Sequence, residues 1–337
     1  MNCCLLMVMI NKLHQPRFGN DQPIRNHCMK INLPYSTKLL APALAGLLVA
    51  GVSPFASAQL YVYEPFDYAP GSDILGQNGG VGFTSAWTIQ SGAGAPSAQA
   101  FTAVAGSLAV PVGLTTSGGH AILTGEFGTL QAARSFNNIV GTDGTTTWFS
   151  FIAQRQGATG GDFPNNPYPR GVNVGLFDTE ATATQGGTLR PERVGVGNSS
   201  NAPDDEWSII PEGSGALRVG SGESFADLYW AVLRIDHHGD HTVADDVYLF
   251  LNPDPLVEPD PSSAVAAILG LRDYSNLDFV RPFVGNPSGN SPFGVLIMDE
   301  LRIGGDYASM SATVVPEPTA MALLGFGGLA LMFRRRS

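Results

Sequence analysis

The densest run of chemistry-bearing side chains in this 337-residue chain is "DHHGDHTVADD", which contains Asp236, His237, His238, Asp240, His241, Asp245 and Asp246. Three chemistries compete for it. Calcium takes six to eight oxygens, so Asp236, Asp240, Asp245 and Asp246 with backbone carbonyls and water could collect one ion. Zinc needs three or four ligands converging as a tetrahedron, and the adjacent His237 and His238 diverge if they lie on a strand. The third reading is a hairpin turn at Gly239-Asp240 joining two apolar runs, "LYWAVLRID" and "DVYLFLNP".

Carboxylate pairs come next. Retaining glycoside hydrolysis needs two carboxyl groups about 5–5.5 Å apart. The chain has no Glu-x-Asp-x-x-Glu, which would place alternate acids on one strand face. Asp204, Asp205 and Glu206 follow Pro203 in a turn-like stretch and should project in different directions. Asp299 and Glu300 are neighbours on an apolar strand pattern, so they should point to opposite faces, with Asp299 hydrogen-bonded to loop backbone. There is no Gly-x-Ser-x-Gly for a serine nucleophile. No catalytic residue is assigned, and the chain is expected not to be an enzyme. Trp87, Trp148, Trp207 and Trp230 are candidate sugar-stacking platforms, weighed against core packing, the commoner fate of a large aromatic.

These groups have to be positioned by strands. "WFSFIAQR" (148–155) carries apolar residues on both parities. "LYWAVLRID" (228–236) sets Tyr229, Ala231, Leu233 and Ile235 on one face, with Trp230 and Val232 beginning the other. "GVLIMDELRIGG" (294–305) sets Val295, Ile297, Leu301 and Ile303 on one face and Glu300 and Arg302 on the other. Short runs bounded by Gly, Pro, Asn and Asp predict a sandwich or barrel of many strands. Only "PSSAVAAILGL" (261–271) suggests a short helix or lid. No internal repeat or interdomain linker stands out, and residues 59–313 are expected to form one all-β domain.

Charge narrows the partners. Without Asp21, Glu317, the five bases before Gln59 and the three at the tail, 27 of 29 acids and ten of 18 bases remain, a net charge of −17. All ten bases are arginine. A surface this acidic argues against nucleic acid, which rewards basic patches. Cys3, Cys4 and Cys28 all precede residue 59, so the domain is expected to stand without disulfides.

Both ends read as processing segments. From Met29, Lys30 and Lys38 form a basic region, Leu39 to Val52 an apolar run, and Ala56-Ser57-Ala58 a small-residue cleavage site with Gln59 as the new N-terminus. Residues 29–58 are the expected signal peptide, and 1–28 a start-site extension or disordered leader. At the other end, Thr319 to Phe333 is apolar and Gly-rich. As a helix it would span about 22 Å at about 1.5 Å per residue, short of the ~30 Å hydrocarbon core. Arg334, Arg335 and Arg336 follow, a cluster that stays cytoplasmic. Pro316 and Pro318 keep Glu317 on extended backbone.

The tail, with Pro316-Glu317-Pro318, its apolar run and Arg334 to Arg336, resembles the PEP-CTERM sorting signal of Gram-negative bacteria, here over 314–337. The resemblance implies export by way of signal peptidase, transient inner-membrane association, recognition by an exosortase, and a place at the cell surface, outer envelope or extracellular matrix. "YEPFDY", "LGQNGGVGFTSAW" and "IMDELRIGGDYASM" are similar to segments of exported PEP-CTERM proteins. The last is also similar to the closing strand of laminin-G-like and concanavalin A-like lectin/glucanase domains. That implies an all-β jelly-roll sandwich of two antiparallel sheets. A glycan- or exopolysaccharide-binding module is then expected, with a structural matrix or envelope protein as the alternative and a glycoside hydrolase less favoured.

Overall fold

The computed structural model describes residues 59–89, 100–110, 112–126, 128–156, 171–178, 192–199, 205–211, 215–239, 243–285 and 293–312. In chain order the strands are β1 (Leu60–Glu64), β2 (Thr88–Ile89), β3 (Phe101–Ala105), β4 (Gly119–Thr124) and β5 (Leu130–Val140). β6 (Thr146–Gln156), β7 (Val172–Asp178), β8 (Glu192–Asn198), β9 (Glu206–Pro211) and β10 (Val219–Ser224) follow. The last five are β11 (Tyr229–Asp236), β12 (Asp245–Leu251), β13 (Ala266–Arg272), β14 (Leu277–Val284) and β15 (Val295–Gly304). One short helix, α1 (Ala308–Ser311), ends the described chain.

The strands form two antiparallel sheets, one of eight and one of seven strands. The first runs β13-β12-β11-β6-β15-β4-β3, with β1 also paired to β15. The second runs β10-β9-β8-β7-β14-β5-β2. They face each other as a jelly-roll sandwich. Alternation explains the layers. From β11, Ala231, Leu233 and Ile235 enter the main core between the sheets with Phe149 and Phe151 of β6 and Trp207 of β9. The opposite parity is apolar too, because a second cluster covers the outer face of the first sheet. It contains Trp148, Ile152, Trp230, Val232, Phe250, Tyr307 and Met310, under α1 and the 108–114 stretch. Strands β6 and β11 are therefore buried on both faces.

Two sequence expectations need correction. Core-facing residues of β15 are Leu296, Met298, Leu301 and Ile303, not one continuous parity through Val295 and Ile297. The register with β6 shifts between Asp299 and Arg302, and Glu300 has φ 52°. This bulge flips the face of everything after it. It falls where β15 exchanges β4 for β1 as its neighbour: β4 pairs with 295–298 and β1 with 301–304. The 261–271 stretch is not a helix. Pro261–Ser263 forms one 3-10 turn capped by Asp260, and the chain from Ala266 onward is edge strand β13. β-Branched and apolar residues pairing with β12 override a weak helical pattern there.

The bulge also corrects the expected opposite facing of Asp299 and Glu300, because it gathers both acids on the outer face. Asp299 Oδ2 accepts from Leu108 N at 2.9 Å and Oδ1 from Glu300 N at 2.7 Å. Burial pushes the Asp299 carboxyl up to about 8 despite those N–H donors, and the neighbouring Glu300 adds to the rise. Glu300 Oε1 accepts from Ser117 N at 2.7 Å and Tyr63 Oη at 3.1 Å, while Oε2 pairs with Arg302 at 2.6 Å. Both carboxylates thus pin the 106–118 loop across the sheet, as the sequence suggested for Asp299.

Candidate functional site

The acidic run is a hairpin base. β11 and β12 pair in register from Ala231↔Leu251 to Asp236↔Asp246. Asp236 and Asp246 therefore share one face and Asp245 takes the other. Asp236 Oδ1 accepts from Thr146 Oγ1 at 3.0 Å and Arg234 Nε at 2.7 Å. Asp246 contacts His238 Nε2 at 3.0 Å and accepts from Gly270 N at 2.9 Å. Asp245 is buried beside His237. The three carboxylates do not converge, and no cluster of three or more His, Cys, Asp or Glu suited to a metal occurs among the described residues. Asp240, the remaining member of the expected calcium set, and His241 lie outside the described residues. His237 and His238 diverge as expected, since they contact different carboxylates on different faces.

Around His237 the hairpin does assemble a hydroxyl, an imidazole and a carboxylate. Asp245 Oδ2 lies 2.9 Å from His237 Nδ1, and His237 Nε2 lies 2.9 Å from Thr147 Oγ1. This is the contact order of a nucleophile, base and orienting acid. Thr147 is only 2% exposed, however, and points from β6 toward the sandwich interior. No substrate can approach it, so the network closes one end of the core. Asp245 also accepts from His238 N at 3.0 Å and Tyr274 N at 2.8 Å. Burial alone would raise its carboxyl, but His237 and the two backbone donors outweigh that and hold it below the ordinary value. A depressed carboxylate contributes stability that is full above about pH 4 and is lost as pH falls through its folded value. Asp245→Asn should therefore cost about 1–3 kcal/mol at neutral pH, equally with calcium and with chelator, and should flatten the wild-type loss of stability below pH 4. Thermal melts across pH test this. A calcium-specific shift that the variant abolishes would restore the metal reading.

The four tryptophans are all within the fold rather than on it, each at most 2% exposed. Trp87 packs edge-on against Phe101 at 5.4 Å and donates to Glu64 at 3.1 Å. Trp207 sits against Phe225 at 4.2 Å in the main core. Trp148 and Trp230 flank Tyr307 in the outer cluster at 5.1 and 6.3 Å. In this conformation none offers a ring to a sugar. The expected stacking platforms are core and layer packing: Trp148, Trp207 and Trp230 lie on strand faces covered by another layer, and Trp87, just ahead of β2, is enclosed by Phe66, Phe83 and Phe101.

A further cluster lies on the other parity of the second sheet, buried like the tryptophans, and the sequence reading missed it. On the second sheet, Val172, Val174, Leu176, Val194 and Val196 face the main core. Their alternates therefore face outward. Asn173 lies opposite Gly197 and Phe283, Gly175 opposite Gly195 and Arg281, and Phe177 opposite Phe279. Gln131 is the cross-strand partner of Phe283. Arg281 lies 4.2 Å from the Phe177 ring centroid and 5.9 Å from that of Phe283, and donates to Gln131 Oε1 at 3.2 Å. Asn173 is 6% exposed, yet its Oδ1 has no hydrogen-bond partner. Gly197 keeps this floor low. Its φ is 135°, and a Cβ there would lie 2.8 Å from Asn173 Cα. The legible signal was period two: Asn173 and Gly175, then Gly195 and Gly197, each alternating with valine or leucine.

The other acids singled out are committed elsewhere. Asp205 pairs with Arg155 at 3.1 Å and accepts from Asn198 at 3.0 Å. Glu206 pairs with Arg218 at 2.5 Å. Asp204, the cleavage-site residues Ala56 and Ala58, and the sorting residues Pro316, Glu317, Pro318, Arg334, Arg335 and Arg336 lie outside the described residues. No described helix is long and apolar enough to cross a membrane.

Among solved structures, the chain is similar to an endo-beta-1,4-glucuronan lyase from the fungus Trichoderma reesei. Identity is 10%, coverage is 74% of this chain and 98% of that one, and the TM-score is 0.43. It is also similar to the T. cruzi calreticulin globular domain, at 13% identity, 80% and 94% coverage and a TM-score of 0.36. An alginate lyase from Polysaccharide Lyase family 7 matches at 7% identity, 55% and 77% coverage and a TM-score of 0.34. Likeness of this degree says nothing about the chemistry of this chain. No curated protein matches it. What sequence comparison does show is confined to the C-terminus, where residues 314–336 match the PEP-CTERM protein-sorting motif.

Proposed function

We propose that the chain is an exported, surface-sorted protein whose sandwich, of concanavalin A-like type, binds an extracellular polysaccharide. Residues 29–58 act as the signal peptide, 59–313 as the binding domain and 314–337 as the segment handled by an exosortase. Support for the first boundary comes from Gln59. Its N–H lies 2.8 Å from Asp306 Oδ2, so cleavage after Ala58 would set a new ammonium group on that carboxylate.

The observation that carries the reading is the sorting motif at 314–336, which follows the last described element of the sandwich in sequence. The Arg281 cluster does not carry it, since Arg281 is 7%, Gln131 8% and Asn173 6% exposed and Phe177 is fully buried. The reading is of binding and not cleavage, because Asp299 and Glu300 hold loop backbone. Glycan arrays, followed by calorimetric titration of any hit, measure binding by the exported form. If it binds no polysaccharide, the structural-matrix reading stands, and the burial of all four tryptophans already favours it over a stacking lectin.

A further inference from the structure

Among the described residues, Leu256 is 89% exposed and its neighbour Val257 is 61% exposed. Together they form the tip of a tight turn. Asp254 Oδ1 accepts from Leu256 N at 2.9 Å, and Asp254 O accepts from Val257 N at 3.2 Å. The turn is built to hold this tip outward, because its base is fastened to the last described element. Tyr307 Oη donates to Asp254 O at 2.6 Å, and Ser311 Oγ donates to Pro255 O at 2.6 Å. Arg302 Nη1 in turn donates to Ala312 O at 2.6 Å. The sorting motif begins at residue 314. From Ala312 to Thr319, where the apolar run starts, is seven residues of chain, at most about 25 Å. The apolar tip therefore stands beside the point where the tail leaves the domain.

We propose that Leu256 and Val257 are a membrane-contact tip that enters the interfacial layer of the bilayer receiving the tail. The inference rests on reading the tail as membrane-directed. An exposed leucine-valine pair gains by leaving water for the acyl boundary, and a tether of this length keeps it within reach. Charge selects the lipid. Asp254, Glu258 and Asp260 flank the tip, and among the described residues only Glu258 of the three is ion-paired, to Arg234 at 3.2 Å. The contact should therefore favour zwitterionic over anionic headgroups. It would orient the domain on the membrane while its tail awaits processing.

The test uses the chain from Gln59 onward, the form left by signal-peptide cleavage, which carries no native cysteine, reconstituted with phosphatidylcholine vesicles. An environment-sensitive fluorophore is placed at Leu256→Cys or, as control, at Val81→Cys, a residue 56% exposed at another site. The expected result is blue-shifted emission and quenching by interfacial spin-labelled lipid at 256, several-fold beyond that at 81, weakening as phosphatidylglycerol is added. Leu256→Asp/Val257→Asp should lower vesicle partitioning about tenfold. If the chain floats with vesicles while position 256 stays as aqueous as position 81, the tip is not a membrane contact although the tail is an anchor. If the chain does not float at all, the tail reading fails and takes this one with it. If the double variant slows tail processing in cells with partitioning unchanged, the tip docks a protein and the lipid assignment is overturned.

Discussion

Arg134→Ala is expected to destabilise the sandwich by about 3–5 kcal/mol, the range for stranding a buried charge. Arg134 is 1% exposed and its partner Glu64 is fully buried. Glu64 sits at the end of β1 and Arg134 in the middle of β5, so the pair links the two sheets. Arg134 Nη1 meets Glu64 Oε2 at 2.6 Å, Nη2 donates to Asn78 Oδ1 at 2.8 Å, and Nε donates to Ser85 O at 2.6 Å. Its guanidinium also lies 3.9 Å from the Phe83 ring centroid. Glu64 accepts from Tyr68 Oη at 2.8 Å, Trp87 Nε1 at 3.1 Å and Phe66 N at 3.0 Å. Burial pushes its carboxyl up, against the pull of Tyr68 and Arg134. With the arginine gone, a raised carboxyl means that stability falls as pH rises. The variant should therefore melt on the order of 10 °C low at neutral pH and recover part of that loss in mild acid. Glu64→Gln/Arg134→Met removes both charges and should be less damaging than Arg134→Ala. A single-variant loss under about 1 kcal/mol, on the scale of an exposed pair, would mean that the ion pair does not join the sheets.

The second large effect concerns the tail. Glu317→Ala is expected to leave export intact and to abolish tail processing, so that nearly all of the protein accumulates in membranes with its C-terminus attached. Glu317 is the only charged residue between Ala312 and Arg334. A proline on either side disfavours helix at that position, which suits a short peptide read by a processing enzyme. The apolar run beyond them is too short for an easy permanent span, and Arg334 to Arg336 block passage through the membrane. Fractionation with mass spectrometry of the released and membrane-bound forms measures the outcome. Release at the wild-type level, with the same C-terminus, would remove exosortase handling of Pro-Glu-Pro.

Alternation of side chains along short runs was enough to read an all-β sandwich, since a strand exposes its period locally. Tyr229, Ala231, Leu233 and Ile235 already marked one face of β11, and the both-parity apolar pattern of 148–155 already marked a strand covered on two sides. The sorting motif was also legible, because a processing signal is read as linear sequence and needs no fold. Tertiary structure decided the rest. The bulge at Glu300 reversed the faces of β15, and an inserted residue leaves no mark in composition. Whether Trp148 and Trp230 met solvent depended on α1 and the 108–114 stretch crossing their face, far away in the chain. Asp236, Asp245 and Asp246 could be read in the sequence as a hairpin base or as a cation site, and pairing of β11 with β12 divided them between two faces. The Arg281 cluster draws Gln131, Asn173 and Phe177 from strands separated by up to 150 residues. A sheet brings such residues together by hydrogen-bond register, and register between distant strands is set by the packing of the whole core, not by any local run of residues.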